Sequence, residues 1–271
     1  MAEHPQLRLG LLEDFEVSFA GDVLRTSLPA QRLLARLAVL QRGRPIQRAT
    51  LAERLWPQAA PGRAASSLRS VLWRLPRPRG RTLVTCTTTT VRLAGDVHVD
   101  LWAVEAQAHA LCTADQPPPA ALDDLAPLTR DLLPAWDEEW LQVEQESFRQ
   151  KRLHALERSS DALRRRGRFT DALCAGLGAV QAEPLRESAH RSVIAVHLEE
   201  GNHAEALRQY DAYRTLLAHD LGLRPSPAIA PWWRRCSAAR STCPRCEAQG
   251  RVTFQPPVSD RRRNPIDRTR S

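Results

Sequence analysis

The sequence predicts an α+β winged helix-turn-helix head over residues 1–100, followed by an all-α, tetratricopeptide-like body over residues 101–234. Three observations carry that reading. Residues 7–93 run as short strands, helix, helix, longer loop, helix and hairpin, the order of a winged helix with an N-terminal sheet. GRFTDAL at 167–173 recurs as GNHAEAL at 201–207, an offset of 34 residues, which is the tetratricopeptide period. Charge divides at the same place: residues 1–100 hold 15 Arg against 8 acidic residues, and residues 101–230 hold 14 basic against 20 acidic.

The head reads element by element. LRLGL and FEVSF alternate in hydropathy, and Gly21-Asp22 supplies a turn before VLR, so residues 7–25 predict a small antiparallel sheet. Ser27 and Pro29 suit the first turn of a helix through LPAQRLLARLAVLQRG, which Gly43 ends. Thr50 and Glu53 form a T-x-x-E capping box, predicting that a short second helix starts there and carries Leu51, Leu55 and Trp56. Pro57 and Pro61 stop it.

The third helix is GRAASSLRSVLWRLPR, residues 62–77. Leu68, Val71, Leu72 and Leu75 give it a buried stripe at helical spacing. LVTCTTTTVRLAG then predicts a hairpin, the wing. From VHVDLWAVEAQAHAL onward the chain reads as helical, interrupted at DQPPPA. A Leu/Phe/Trp stripe through Trp140, Leu141, Phe148, Leu153 and Leu156 marks a helix within 137–166. Residues 235–271 hold no periodicity and read as a disordered basic tail.

Chemistry is limited by what is missing from the motifs. No phosphate loop, dinucleotide fingerprint, nucleophile elbow or H-E-x-x-H pattern occurs, and the eight His residues lack a partner acid placed by a motif. No catalytic residue, cofactor or metal site is therefore expected. Cys243 and Cys246 form the closest pair among six cysteines and lack the four ligands of a structural zinc site, so they read as incidental thiols. The start of the chain lacks a secretory pattern, and LLARLAVL is too short to span a bilayer. A cytoplasmic, nucleoid-associated protein with no membrane partner is expected.

Within residues 40–81, ten Arg stand against the single Glu53. A basic head on an acidic body points to a polyanion partner, and double-stranded DNA fits the predicted fold. On the third helix Arg69 reads as mid-face and suited to a base edge, with Ser66 and Ser70 small enough for close approach. Arg63, Arg74 and Arg77 flank it for phosphates. Trp73 has two readings, against the DNA sugar-phosphate or as core against the hairpin. On the wing, Thr88, Arg81 and Arg92 supply a hydroxyl and charge.

The blocks LRLGLLEDFEV, LPAQRLLARLAVLQRGRPIQRATLAERLWP and AASSLRSVLWRL resemble the Streptomyces antibiotic regulatory protein (SARP) family, as do LLPAWDEEWLQVEQESFRQKRLHAL and EPLRESAHRSVIAVHLEEGNHAEALRQYDAYRTLLAHDLGLRPSP. These proteins join a response-regulator-type winged helix to a bacterial transcriptional activator domain, and residues 7–230 cover the resemblance. It implies an activator of secondary-metabolite genes that binds promoter direct repeats, as a homodimer on DNA, and recruits RNA polymerase holoenzyme. TTTTVRL replaces the Gly-Tyr often found before the last wing strand. Neither a receiver before residue 7 nor an NTPase or sensor module after residue 230 is expected, which is the small form. Two other readings stay open: a repressor on the same fold, and a repeat-based protein adaptor whose basic head docks on DNA without sequence preference.

Overall fold

The computed structural model describes residues 6–227 and residue 229. The predicted tail 235–271, with Cys243 and Cys246, lies outside the described residues. The head is built on two small sheets. Strands β1 (Leu7–Gly10), β2 (Glu16–Phe19) and β3 (Asp22–Val23) form an antiparallel meander. Leu7, Leu9, Val17 and Phe19 alternate inward and are buried, as the period of 2 requires.

Helix α1 (Leu28–Arg36) follows and widens into a π-helical turn over Leu37–Gln41. There the Arg42 N–H bonds to the carbonyl of Leu37, at 3.1 Å, instead of that of Ala38. The carbonyl of Ala38 is thereby released, and the indole N–H of Trp102 donates to it at 2.9 Å. Gly43 takes φ +77°, which ends the segment as its sequence position predicts.

The capping box at Thr50 and Glu53 does not form. Strand β4 (Ile46–Gln47) leads directly into α2 (Arg48–Leu55), so Thr50 lies inside the helix. The physical reason is non-local: β4 pairs with the wing, and the Arg48 N–H is bonded by the carbonyl of Thr89 at 2.7 Å. A donor already satisfied by a strand neighbour does not need a side-chain cap. Ser27 likewise sits at the N-cap of α1 without a side-chain bond.

Helix α3 (Pro61–Arg74) opens on a proline at its first position and buries Ala64, Leu68 and Leu72 against α1 and α2. Burying each leucine contributes about 1.5–3 kcal/mol. The helix is shorter than the sequence predicts: Leu75 turns extended (φ −61°, ψ 138°) ahead of Pro76, so Arg77 stands beyond it. The wing is β5 (Val84–Cys86) and β6 (Thr90–Leu93), in a sheet ordered β4-β6-β5.

One strand lies where the sequence predicts helix. Val97–Val99 is β7, paired parallel with β1 through Leu7–Val97 and Leu9–Val99. Its three residues carry no signal apart from the partner strand ninety residues away. Helix α4 (Asp100–Thr113) starts directly after it. A short helix α5 (Pro119–Leu122) and an irregular stretch lead to α6 (Glu139–Arg165), with Leu141, Phe148, Leu153 and Leu156 buried as the stripe predicts.

Then α7 (Phe169–Ala182), α8 (Glu187–Glu199) and α9 (His203–Leu221) stack in order. Gly167 (φ +71°) and Gly201 (φ +84°) precede α7 and α9 at equivalent places, the structural form of the 34-residue repeat. Among the described residues, no helix is long and apolar enough to cross a membrane.

Head and body share one hydrophobic core, which runs from Leu7 to Val196. Asp100 ties them at the first residue of α4. Its carboxylate accepts the N–H groups of Leu11 (2.9 Å), Leu12 (3.0 Å) and Leu101 (2.6 Å). Burial pushes the Asp100 carboxyl up from its ordinary value, and the three donors oppose that shift. Asp100→Ala strands the Leu11 and Leu12 N–H groups. A loss of about 2–3 kcal/mol is expected from urea unfolding midpoints, with Asp100→Asn recovering part of it through its remaining oxygen.

Candidate nucleic-acid interface

Helix α3 presents its candidate residues on the side opposite its buried stripe. With Ala64, Leu68 and Leu72 turned inward, the 3.6-residue period sets the opposite line through Ser66, Ser70 and Trp73. Arg63 and Arg74 border that line on one side. Arg69 borders it on the other, facing the wing, and not on the mid-line where the sequence reading puts it. All six are exposed. Trp73 is 76% exposed, so it is not core.

Between α3 and β5 lies a groove of about 190 Å³. Its floor is apolar, made by Leu72, Leu75, Leu83 and Val84. Its rim carries Trp73 with Arg48, Arg69 and Arg77. Burial pushes the Cys86 thiol in this groove up, while Arg48 and Arg77 pull it down, so both guanidinium groups act on this spot. The sequence reading missed Arg48. Its place follows from the β4–β6 pairing, and two residues of strand give no periodic signal that predicts a partner.

The wing tip is a two-residue turn, Thr88-Thr89, closed by the Thr87 N–H on the carbonyl of Thr90 at 2.9 Å. The Thr87 hydroxyl oxygen accepts the N–H groups of Thr89 (3.3 Å) and Thr90 (2.9 Å). This side-chain bonding holds a turn without the positive φ that tight hairpins usually use, since neither Thr88 nor Thr89 has one. Thr88 stands exposed at the apex. Arg48 braces the tip by donating from Nη1 to the carbonyl of Thr87 at 3.3 Å.

Two predicted residues are not brought to this surface. Val84 and Cys86 line the groove, so Thr85 faces away, and Arg92 is paired with Thr85 and shares its face. Arg81 lies at the base of the wing and is bridged to Asp96 at 3.2 Å. Arg69, Trp73 and Arg77 meet at this groove, Thr88 stands at the wing tip, and Arg81 and Arg92 are separate from the groove.

Pairing sets the arginines around α3 apart from others in the molecule, Arg32, Arg42 and Arg81 of the head among them, which bridge to carboxylates. In the body, Arg149, Arg164, Arg168 and Arg186 each bridge to carboxylates. Among the described residues, Arg63, Arg69, Arg74 and Arg77 have no acidic partner. Four unpaired guanidinium groups around one helix produce a positive field whose donors are free for an acceptor ligand.

Comparisons with known proteins agree with this architecture. Residues 99–233 match the family model described as bacterial transcriptional activator domain. Regulatory protein AfsR of Streptomyces coelicolor is 28% identical over 239 residues, 84% of this chain and 24% of that protein. The AfsR of Streptomyces griseus is 27% identical over 244 residues, again 84% of this chain and 24% of that protein. The chain thus spans about a quarter of the length of these curated relatives. Among solved structures, Mycobacterium tuberculosis EmbR, in complex with a low-affinity phosphopeptide, superposes with a TM-score of 0.65 at 20% identity. That match covers 87% of this chain and 66% of that one, and it shows a shared fold. The likeness is to regulators and not to an enzyme family. A winged head with α3 exposed is joined to a repeat-built helical body, and that body, over residues 99–233, belongs to the bacterial transcriptional activator domain family, an arrangement like that of SARP-type regulators.

Proposed function

We propose that the chain is a sequence-specific DNA-binding transcription regulator that reads the major groove with α3 and acts as an activator. The observation that carries this is the exposed face of α3: Ser66, Ser70 and Trp73 along its mid-line, bordered by arginines without acidic partners. Small hydroxyl side chains let the helix backbone approach base edges. Arg69 has the planar fork that bonds guanine at two acceptors. Arg63, Arg74 and Arg77 serve phosphates, and Thr88 at the wing tip meets the neighbouring backbone. Trp73 packs on sugar or on a thymine methyl group.

The sign of regulation rests on the family likeness, as do promoter direct repeats, a homodimer on DNA and recruitment of RNA polymerase holoenzyme by the helical body. A reporter strain with the gene deleted is expected to lose transcription of its target. A gain would make the protein a repressor.

The DNA reading is tested by binding of the purified chain to the DNA upstream of its own coding sequence and to a scrambled duplex, across a salt series. Affinity is expected to fall linearly on a log–log plot against salt. Arg69→Ala should cost about 1–3 kcal/mol on the cognate duplex only, whereas Arg77→Ala should weaken both duplexes and lower the salt slope by about 1. Equal affinity for both duplexes, unmoved by Arg69→Ala, would overturn sequence-specific recognition and leave the adaptor reading.

Trp73 gives a second test. Because it is exposed, Trp73→Ala should shift stability by no more than about 0.5 kcal/mol in thermal unfolding while reducing cognate binding. A large loss of stability with unchanged binding would return it to a packing role.

A further inference from the structure

A second site lies on the other side of the molecule's functional division, where the head meets the body. Glu105 on α4 is held between two cations from different elements. Arg42, in the left-handed turn after α1 (φ 50°), donates to it through both terminal nitrogens, at 2.8 Å for Nη2–Oε1. Lys151 on α6 donates to the same Oε1 at 3.0 Å. The Glu105 side chain is only 11% exposed, against 44% for Arg42 and 47% for Lys151. Burial opposes its ionisation, yet the two cations hold its carboxyl below the usual range.

Beside this bridge opens a cleft of about 400 Å³ between α4 and α6. Its floor is Ala108 and Cys112, and His109 and His154 stand at its walls, one turn along from Glu105 and Lys151. Glu105 neutralises one of the two cations and Glu144 also acts on Arg42, while Arg158 acts on Cys112 from the other side, so these groups leave one excess positive charge even with both imidazoles neutral. Beyond His154, Arg186 (3.3 Å) and Glu157 (4.0 Å) offset each other. This is a cationic recess in a body where acidic residues outnumber basic ones, 20 to 14 over residues 101–230. Its size is that of a small-molecule site, with an apolar floor and a few convergent polar groups.

We propose that this cleft binds a small organic anion with an apolar body, its carboxylate, sulfonate or phosphate head on Lys151 and Arg42 and its body on Ala108 and Cys112. Such a head competes with Glu105 for both cations. Arg42 belongs to the turn that carries the chain from α1 into β4 and α2, so the competition falls on a contact between the DNA-facing head and the helical body. The site goes beyond the DNA reading and is measured without DNA, so its failure leaves that reading intact.

The test titrates the full chain with 8-anilinonaphthalene-1-sulfonate, an aromatic sulfonate that fluoresces in apolar surroundings, and with its uncharged counterpart N-phenyl-1-naphthylamine. One saturable site for the sulfonate is expected, with the neutral amine bound more weakly. Lys151→Glu should weaken the sulfonate about tenfold or more, the scale of one charge-assisted hydrogen bond, and spare the amine. Cys112→Trp, at an exposed position, should block both ligands by filling the floor, with the helical circular dichroism unchanged. Absence of saturable sulfonate binding, or binding that both variants leave intact, would overturn the proposal. So would amine binding as tight as the sulfonate's, because the charge would then play no part.

Discussion

The arrangement of the molecule depends on one half-buried carboxylate. Asp100 accepts three backbone N–H groups, two of them from the loop that follows β1 and one from its own helix. The Leu11 and Leu12 N–H groups lie just past the end of β1 on buried residues, where a donor without an acceptor costs about as much as a lost hydrogen bond. Placing the acceptor at the first turn of α4 fixes where the helical body begins relative to the head. An acid there also suits the helix dipole. Further contacts secure the joint: the indole of Trp102 on the carbonyl that the π-turn frees, the Leu12–Leu132 bridge, and the stacked rings of Phe15 and Trp136, with centroids 5.8 Å apart. The two parts are joined by strand pairing and shared core, so the orientation of α3 is a property of the whole chain.

That rigidity gives the charge distribution its meaning. Arg149, Arg164 and Arg186 of the body lie beside carboxylates at helical spacing or across helices, and each pair neutralises its field at short range. Arg152 is the extreme case: fully buried, it donates to the carbonyl of Thr129 at 2.8 Å and pairs with Asp131, pinning the irregular stretch before α6. Arginines on α3 and just after it have no such partners. An unpaired guanidinium group keeps its donors for a ligand, and several on one fixed surface add their fields over a Debye length. Arg48 belongs with them, because it both lines the α3–wing groove and braces the wing tip.

Legibility in the sequence follows the range of the interactions. Helix α3, the long helix α6 and the glycine-punctuated repeat are encoded locally, by apolar spacing and by Gly167 and Gly201, and they stand where those signals put them, except that α3 ends at Arg74, ahead of Leu75 and Pro76. The exposed residues of α3 follow from the same periodicity. Strands β4 and β7 were not legible, since two or three residues acquire their structure from partners elsewhere in the chain. The capping box failed for the same reason: the wing supplies an acceptor to the Arg48 N–H, so the helix starts earlier. Arg92 shows the limit on site residues. Its charge was visible, but which face of the hairpin it occupies is fixed by a register that only the paired strands reveal. Trp73, ambiguous as a residue type, is decided by its exposure.

The cysteines of the molecule allow the central claim to be measured without altering the chain. Cys86 lies in the groove between α3 and the wing, while Cys112 and Cys174 are exposed on the helical body. Alkylation by iodoacetamide, followed peptide by peptide with and without a cognate duplex, reports which surface the DNA covers. The account predicts that DNA slows modification of Cys86 and leaves Cys112 and Cys174 unchanged. Protection of either body cysteine with Cys86 still reacting freely would contradict it.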